Sequence, residues 1–186
     1  MELPCTAGTR LRSLTPEDAS QLLGILDADR ATFDRWLRWS AGVTTTPTAR
    51  AFIEQALQRE ADGNGFHLGL WIGETLVGGV PCWSLDPVHH VAEIGYWLSA
   101  GARGAGTATT ATRKVIEFLF TEWGVNRVEM QCRIENVASR RLAERVGGQL
   151  EGIRRQSHLV AGAYRDHAVY SVLAGDRQSA EHQDVA

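Results

Sequence analysis

Two hydrophobic periods divide this chain, and the switch between them falls at Gly63-Asn64-Gly65. Before it, apolar residues recur three and four positions apart, as on one face of a helix. Leu22, Leu23, Ile25 and Leu26 form one such face. A start signal precedes them at Thr15-Pro16-Glu17-Asp18: a capping hydroxyl, a proline in the first turn and acids at the positive helix end. Residues 31–39 read as a second short helix or turn. Thr46-Pro47-Thr48 opens a third helix, with Ala51, Phe52, Ile53, Ala56 and Leu57 along its apolar stripe. Only residues 9–14, in which Leu11 sits between arginines, predict a strand in this half.

After Gly65 the pattern turns strand-like. Residues 66–72, 75–83 and 91–98 predict three strands, with Gly73-Glu74 as a tight hairpin and Asp86-Pro87 as a break before the third. Residues 109–123 return to a helical stripe through Val115, Ile116, Leu119 and Phe120. A strand at 127–134, a helix at 137–146 and a closing hairpin from 148–159 and 164–173 complete the order. This reads as one α+β domain over residues 1–175, built on a mixed, mostly antiparallel sheet of about seven strands flanked by helices. Residues 176–186 read as a polar, disordered tail.

Composition narrows the class. The 186 residues are 44% hydrophobic and 22% charged, an ordinary globular balance. No apolar run approaches the roughly 20 residues that span a bilayer, and residues 1–12 lack the pattern of a signal peptide. Cys5, Cys82 and Cys132 show no metal-ligand spacing, so the expectation is reduced thiols, a cytoplasmic setting and no metal. A net charge of −3 gives no case for nucleic acid, and nothing points to a membrane partner.

The chemistry concentrates between Glu93 and Thr109. The apolar strand through Tyr96, Trp97 and Leu98 enters a short loop carrying Gly101, Gly104 and Gly106, and a helix follows. Glycines let a ligand approach the backbone, and the unpaired N–H groups of a helix start favour a diphosphate. Arg103, Gly104, Ala105, Gly106, Thr107 and Ala108 are the candidate cradle. It is no P-loop, because Thr107 stands where lysine is needed, and no dinucleotide fingerprint, because Thr109 replaces the third small residue. A small-residue helix start that serves only packing is the alternative.

The spacing Arg103-x-x-Gly106-x-Ala108 resembles the coenzyme A loop of the GNAT N-acetyltransferases. The RimJ/RimL-like branch is matched more sharply, by residues 33–39, 92–98, Asn136-Val137-Ala138-Ser139 and 162–166. One departure is Gly147-Gly148, where the branch carries Gly-Phe. The resemblance implies a GNAT fold and acetyl transfer from acetyl-CoA to a primary amine in a ternary complex. The acceptor would be a protein N-terminal α-amine, as in ribosomal-protein acetylation, or a small-molecule amine such as an antibiotic or aminoacyl compound. A homodimer is a further expectation, since dimers are frequent in this branch. A non-catalytic acetyl-CoA sensor on the same scaffold and a nucleotide-binding phosphate cradle are the other readings.

Within that frame, the pantetheine arm inserts beside Tyr96, Trp97 and Leu98, and a strand N–H near Trp97 is the candidate oxyanion donor. Glu93 is the first candidate for the base; a glutamate on the solvent side of an alternating strand fits the pattern equally. His158, with a suitable intrinsic pKa, is the second. Asn136 and Ser139 lie three apart at a helix start. The resemblance gives Asn136 a bond to the pantetheine arm and Ser139 the proton for the leaving thiolate, whereas capping alone would also explain Asn136. Other GNAT enzymes place a tyrosine acid on this helix, where Ala143 stands here. Trp36 and Trp39 are candidate acceptor contacts: packing suits Trp36 better, and the acceptor pocket suits Trp39. Cys132 reads as a packed thiol.

Overall fold

The computed structural model describes residues 1–6, 8–160 and 162–176. Residues 177–186 of the expected tail lie outside the described residues. The strands are β1 (Glu2–Thr6), β2 (Thr9–Ser13), β3 (Phe66–Ile72), β4 (Thr75–Asp86), β5 (Val91–Ile94), β6 (Trp97–Leu98), β7 (Arg127–Arg133), β8 (Gln149–Val160) and β9 (Ala163–Leu173). The helices are α1 (Ala19–Ala28), α2 (Arg30–Trp36), α3 (Thr46–Ala61), α4 (Thr107–Thr121) and α5 (Val137–Arg145). One sheet runs β1-β2-β3-β4-β5-β7-β9-β8, with β6 continuing beside β4. Every pairing is antiparallel except β5 with β7.

Local chemistry explains the helix starts. Thr45 caps α3 reciprocally with Thr48, and Pro47 sits in its first turn. Thr15 and Pro16 open a single 3-10 turn before α1 rather than α1 itself, and Asp18 there receives a two-pronged bond from Arg12 at 2.7 and 2.9 Å. Two apolar cores result. α4 and α5 bury Val115, Ile116, Leu119, Leu142 and Ala143 on one face of the sheet. On the other, α1, α2 and α3 bury Leu22, Leu26, Phe33 and Ile53 against Trp71, Leu76 and Trp97.

Among the described residues nine strands refine the expected number of about seven. β1 was not foreseen: it is a short edge strand containing Pro4, tolerable only at an edge because proline donates no ladder bond. The predicted strand 91–98 divides into β5 and β6 at Gly95-Tyr96. β5 is bonded to both neighbours, β4 and β7, but the ladder to β7 stops at Ile94 opposite Met130. β6 follows β4 instead, and the sheet splits there.

Close backbone approach fixes β6. A Cβ at Gly78 would lie 2.4 Å from the Trp97 carbonyl oxygen and 3.2 Å from the Leu98 Cα. Gly78→Ala is therefore expected to destabilise the protein by about 2 kcal/mol, read as a lower urea midpoint at constant slope. The second departure resolves in the same way. A Cβ at Gly148 would sit 2.7 Å from the Ala143 carbonyl oxygen, so no aromatic belongs there.

Candidate active site

The split leaves one side of β6 unpaired. Gly95 and Ser99 donate their N–H groups to Pro81 and Val77 at 2.9 and 2.8 Å, and Trp97 opposes Gly79 in the same register. Strand alternation then turns the N–H groups of Tyr96 and Leu98 away from β4, into the gap facing β7. Near Trp97, then, the N–H groups that face the gap belong to Tyr96 and Leu98, and the Trp97 side chain is buried. Its indole donates to His67 Nε2 at 3.0 Å. A cavity of about 760 Å³ occupies the gap. It is lined by Glu93, Tyr96, Leu98, Ala108, Asn136, Ser139 and His158 together with Trp36, Trp39, Arg103 and Trp97.

At one end stands the glycine loop. Gly104 and Gly106 have φ of 90° and 76°, the left-handed conformation that glycine takes without strain. A Cβ at either would enter open space. Gly106 is the N-cap of α4 and has no side chain to cap it, unlike Thr45 at α3 and Asn136 at α5. The first N–H groups of α4 thus have no side-chain cap, which suits a diphosphate. The residues from Gly104 through Ala105 and Thr107 to Ala108 fit the CoA diphosphate. Arg103 does not stand free beside it: its guanidinium donates to Asp29 at 3.1 Å and to the Leu98 carbonyl at 3.3 Å. The 3-10 turn at Ala100–Ala102 aims that side chain at the junction of α1 and α2.

Across the gap, Asn136 Oδ1 accepts the Ser139 N–H at 3.1 Å, so the capping role holds, and the carboxamide N–H groups bond to no described residue. Ser139 Oγ donates to the Tyr96 hydroxyl at 3.1 Å, which donates to the Ser139 carbonyl at 2.7 Å. A phenol therefore reaches α5 from the strand although the helix carries Ala143. Burial pushes the Tyr96 phenol above its ordinary range and raises the Cys132 thiol, which lies within hydrogen-bond reach of Ser139.

The acceptor side is polar. Glu93 is the penultimate residue of β5, just before the split, and burial raises its carboxyl, with Glu129 adding to the rise. Gln131 holds it: Nε2 donates to Glu93 at 3.3 Å, while Oε1 accepts from Arg154 at 3.0 Å. His158 stacks on His167 with ring centres 3.9 Å apart, and Ser157 Oγ contacts both rings. A bulge in β8 between Arg154 and His158 permits this stack. Burial lowers both imidazoles, so each is neutral at neutral pH.

Both tryptophans line the cavity and both are half-buried. Trp39 stacks on Phe52 at 4.5 Å and meets Trp97 and His67 edge-on, so it belongs largely to the core. Trp36 lies nearer the mouth, with the guanidiniums of Arg35 and Arg133 over its ring. Gln131, Arg38 and His167 escaped the sequence reading. The signal was there in β7, where Glu129, Gln131 and Arg133 alternate with buried Val128, Met130 and Cys132. A central strand covered on both faces reads as continuously apolar, so a polar face there marks an uncovered surface.

Among the described residues no group of three or more His, Cys, Asp or Glu is placed to hold a metal ion. Among the described residues no helix is long and apolar enough to cross a membrane.

Comparison with known proteins agrees with this geometry. The family model for the acetyltransferase (GNAT) domain matches residues 9–149. YdaF of Bacillus subtilis (strain 168), whose own naming as a ribosomal N-acetyltransferase is provisional, is 34% identical over 164 residues, covering 88% of this chain and 90% of that one. The structure of the microcin C7 self-immunity acetyltransferase MccE with acetyl-CoA and AMP superposes with a TM-score of 0.86 at 26% identity, covering 91% and 94%. RimL, the ribosomal L7/L12 α-N-protein acetyltransferase solved with coenzyme A, gives 0.89 at 21% identity, covering 93% and 98%. With most of its length matched by the family model, this chain belongs to the GNAT acetyltransferase family.

Proposed function

We propose that this protein acetylates a primary amine, foremost the α-amine of a protein N-terminus, by direct attack on acetyl-CoA in a ternary complex. The observation that carries the proposal is the split: free strand N–H groups, an uncapped helix start, Ser139 and Glu93 converge on one cavity. The proposal includes a single domain over residues 1–175 that works in the cytoplasm. Acetyl-CoA supplies the activated acetyl group. The loop from Gly104 to Ala108 holds the diphosphate, Asn136 and the edge of β6 hold the arm, and a gap-facing N–H of Tyr96 or Leu98 receives the developing oxyanion. The neutral amine nitrogen attacks the thioester carbon, and a C–N bond replaces the C–S bond. The amine proton passes to Glu93. The thiolate takes its proton from Ser139, whose Oγ exchanges its bond to Tyr96 for one to sulfur, and the proton held by Glu93 returns through solvent to Ser139, which restores both groups.

An α-amine, with a reference pKa of about 7.7–8.0, asks little of that base, whereas a lysine at about 10.4 asks much more. The AMP in the MccE structure favours a second reading, a small amine-bearing molecule as acceptor. Incubation with acetyl-CoA and amine panels of both kinds, followed by thiol release, tests both readings. Ser139→Ala is expected to lower turnover by about tenfold to a hundredfold while acetyl-CoA affinity, read by calorimetry, holds. Binding of acetyl-CoA without thiol release for any amine would instead make the protein a sensor.

A further inference from the structure

Among the described residues five arginines outside the acceptor mouth meet carboxylates: Arg12 with Asp18, Arg10 with Glu74, Arg30 with Asp27, Arg103 with Asp29, and Arg127 with Glu129 and Glu151. The acceptor mouth gathers four more. Arg38, which lines the cavity just beyond α2, makes no hydrogen bond or ion pair with any described residue. It nevertheless lies near enough to Glu93 and His158 to act electrostatically on both. Arg154 acts on the same two groups, and its one hydrogen bond goes to the neutral Gln131. Arg35 and Arg133 cover Trp36. Arg133 is ion-paired with Glu135 at 3.6 Å and donates to the Arg35 carbonyl at 2.8 Å.

The acids on this side offset part of that charge, Glu135 at Arg133 and Glu129 beside Glu93, and none of them pairs with Arg38. Asp34 accepts from Ser40 at 2.7 Å and faces Arg30 at 3.9 Å. Glu93 is the group that must receive a proton. Arg35, Arg38 and Arg133 line the cavity, and Arg154 reaches its edge through Gln131; guanidiniums gathered in this way repel one another, and that repulsion is relieved when an anion enters. Guanidinium forks also match carboxylate and phosphate oxygens in pairs.

We infer that the acceptor is an anionic amine, carrying a carboxylate or phosphate within a side chain's reach of its amino group. Arg38 and Arg154, with Arg35 and Arg133 behind Trp36, hold that charge while Glu93 faces the nitrogen. The inference rests on the acetyl-transfer reading above and adds the chemical class of its substrate.

The test uses the full chain, saturating acetyl-CoA and thiol release to obtain kcat/KM. One arm compares short peptides beginning Ser-Asp-Glu, Ser-Gly-Gly and Ser-Lys-Lys. The other compares 2-aminoethyl phosphate with ethanolamine. The anionic member of at least one arm is expected to exceed its neutral counterpart by about tenfold or more. The preference should shrink as salt is raised. The arm that responds tells an acidic protein N-terminus from a small phosphorylated amine. Arg38→Gln and Arg154→Gln should each pull the anionic-to-neutral ratio toward one, with Arg38→Lys restoring part of it. Acetyl-CoA affinity serves as the check on folding. Equal rates across both arms, or a preference for Ser-Lys-Lys, would overturn the charge selection and leave acetyl transfer standing. No turnover with any acceptor, in protein that still binds acetyl-CoA, would overturn both.

Discussion

Glu93→Gln is expected to lower kcat/KM for an amine acceptor by about 10²–10⁴-fold, with acetyl-CoA affinity retained. Glutamine keeps the shape and the contact with Gln131 but cannot take a proton at neutral pH. The pH profile gives a sharper reading. Burial raises the Glu93 carboxyl and Glu129 adds to it, against a smaller downward pull from Arg154 and Arg38. The base is active only when ionised, so the rate climbs as pH rises through that elevated value, above the ordinary carboxylate range. In the glutamine variant this acidic limb disappears, and the remaining dependence is that of the amine itself. Should Glu93→Gln retain full rate with the same limb, the proton passes to His158. His158→Gln would then carry the loss.

The second large effect concerns stability. His67 is buried among Trp39, Phe52, Trp83 and Trp97, and its imidazole is depressed from 6.5 to about 3 by burial and by Arg59. Its Nε2 accepts the Trp97 indole N–H, so the ring proton sits on Nδ1, which meets no hydrogen-bond partner. The unfolded chain takes up a proton near pH 6.5 while the folded one does not. Stability is therefore complete above that pH and falls as pH drops through the window from 6.5 to about 3. The loss approaches 1.4 kcal/mol per unit, or about 4 kcal/mol across the window. Against a typical total of roughly 5–15 kcal/mol this is a large share. Urea unfolding at pH 7 and pH 5 measures it. His67→Gln, which keeps an acceptor for Trp97, should flatten the difference by about 2 kcal/mol. An equal pH dependence in the variant would show that the loss arises at other groups.

Legibility differed sharply along the chain. Helices α3 and α5 announced themselves through periodicity and caps, and the Gly104–Ala108 loop through its small residues. The register of β6 was not legible, because Val91 to Leu98 carries one continuous strand pattern. The break at Gly95-Tyr96 exists only because β4 holds one segment while β7 diverges. The fate of Arg103 was equally hidden. Its partner Asp29 lies 74 residues earlier, and only the packed loop brings them together. The surroundings of Trp36 and Trp39 were hidden for the same reason: spacing shows that two rings share a segment, not which one finds Phe52 beneath it.

The sequence by itself determined the order of elements, the glycine loop at a helix start and the family they imply. Those properties live in local backbone preference and in short-range periodicity. The tertiary structure alone decided which strand N–H groups face the gap, that Tyr96 stands on Ser139, and that Gln131, Arg38 and Arg154 lie about Glu93. Such facts depend on strand register and on contacts between distant segments. A shift of one residue in the register of β6 would turn every one of its N–H groups the other way.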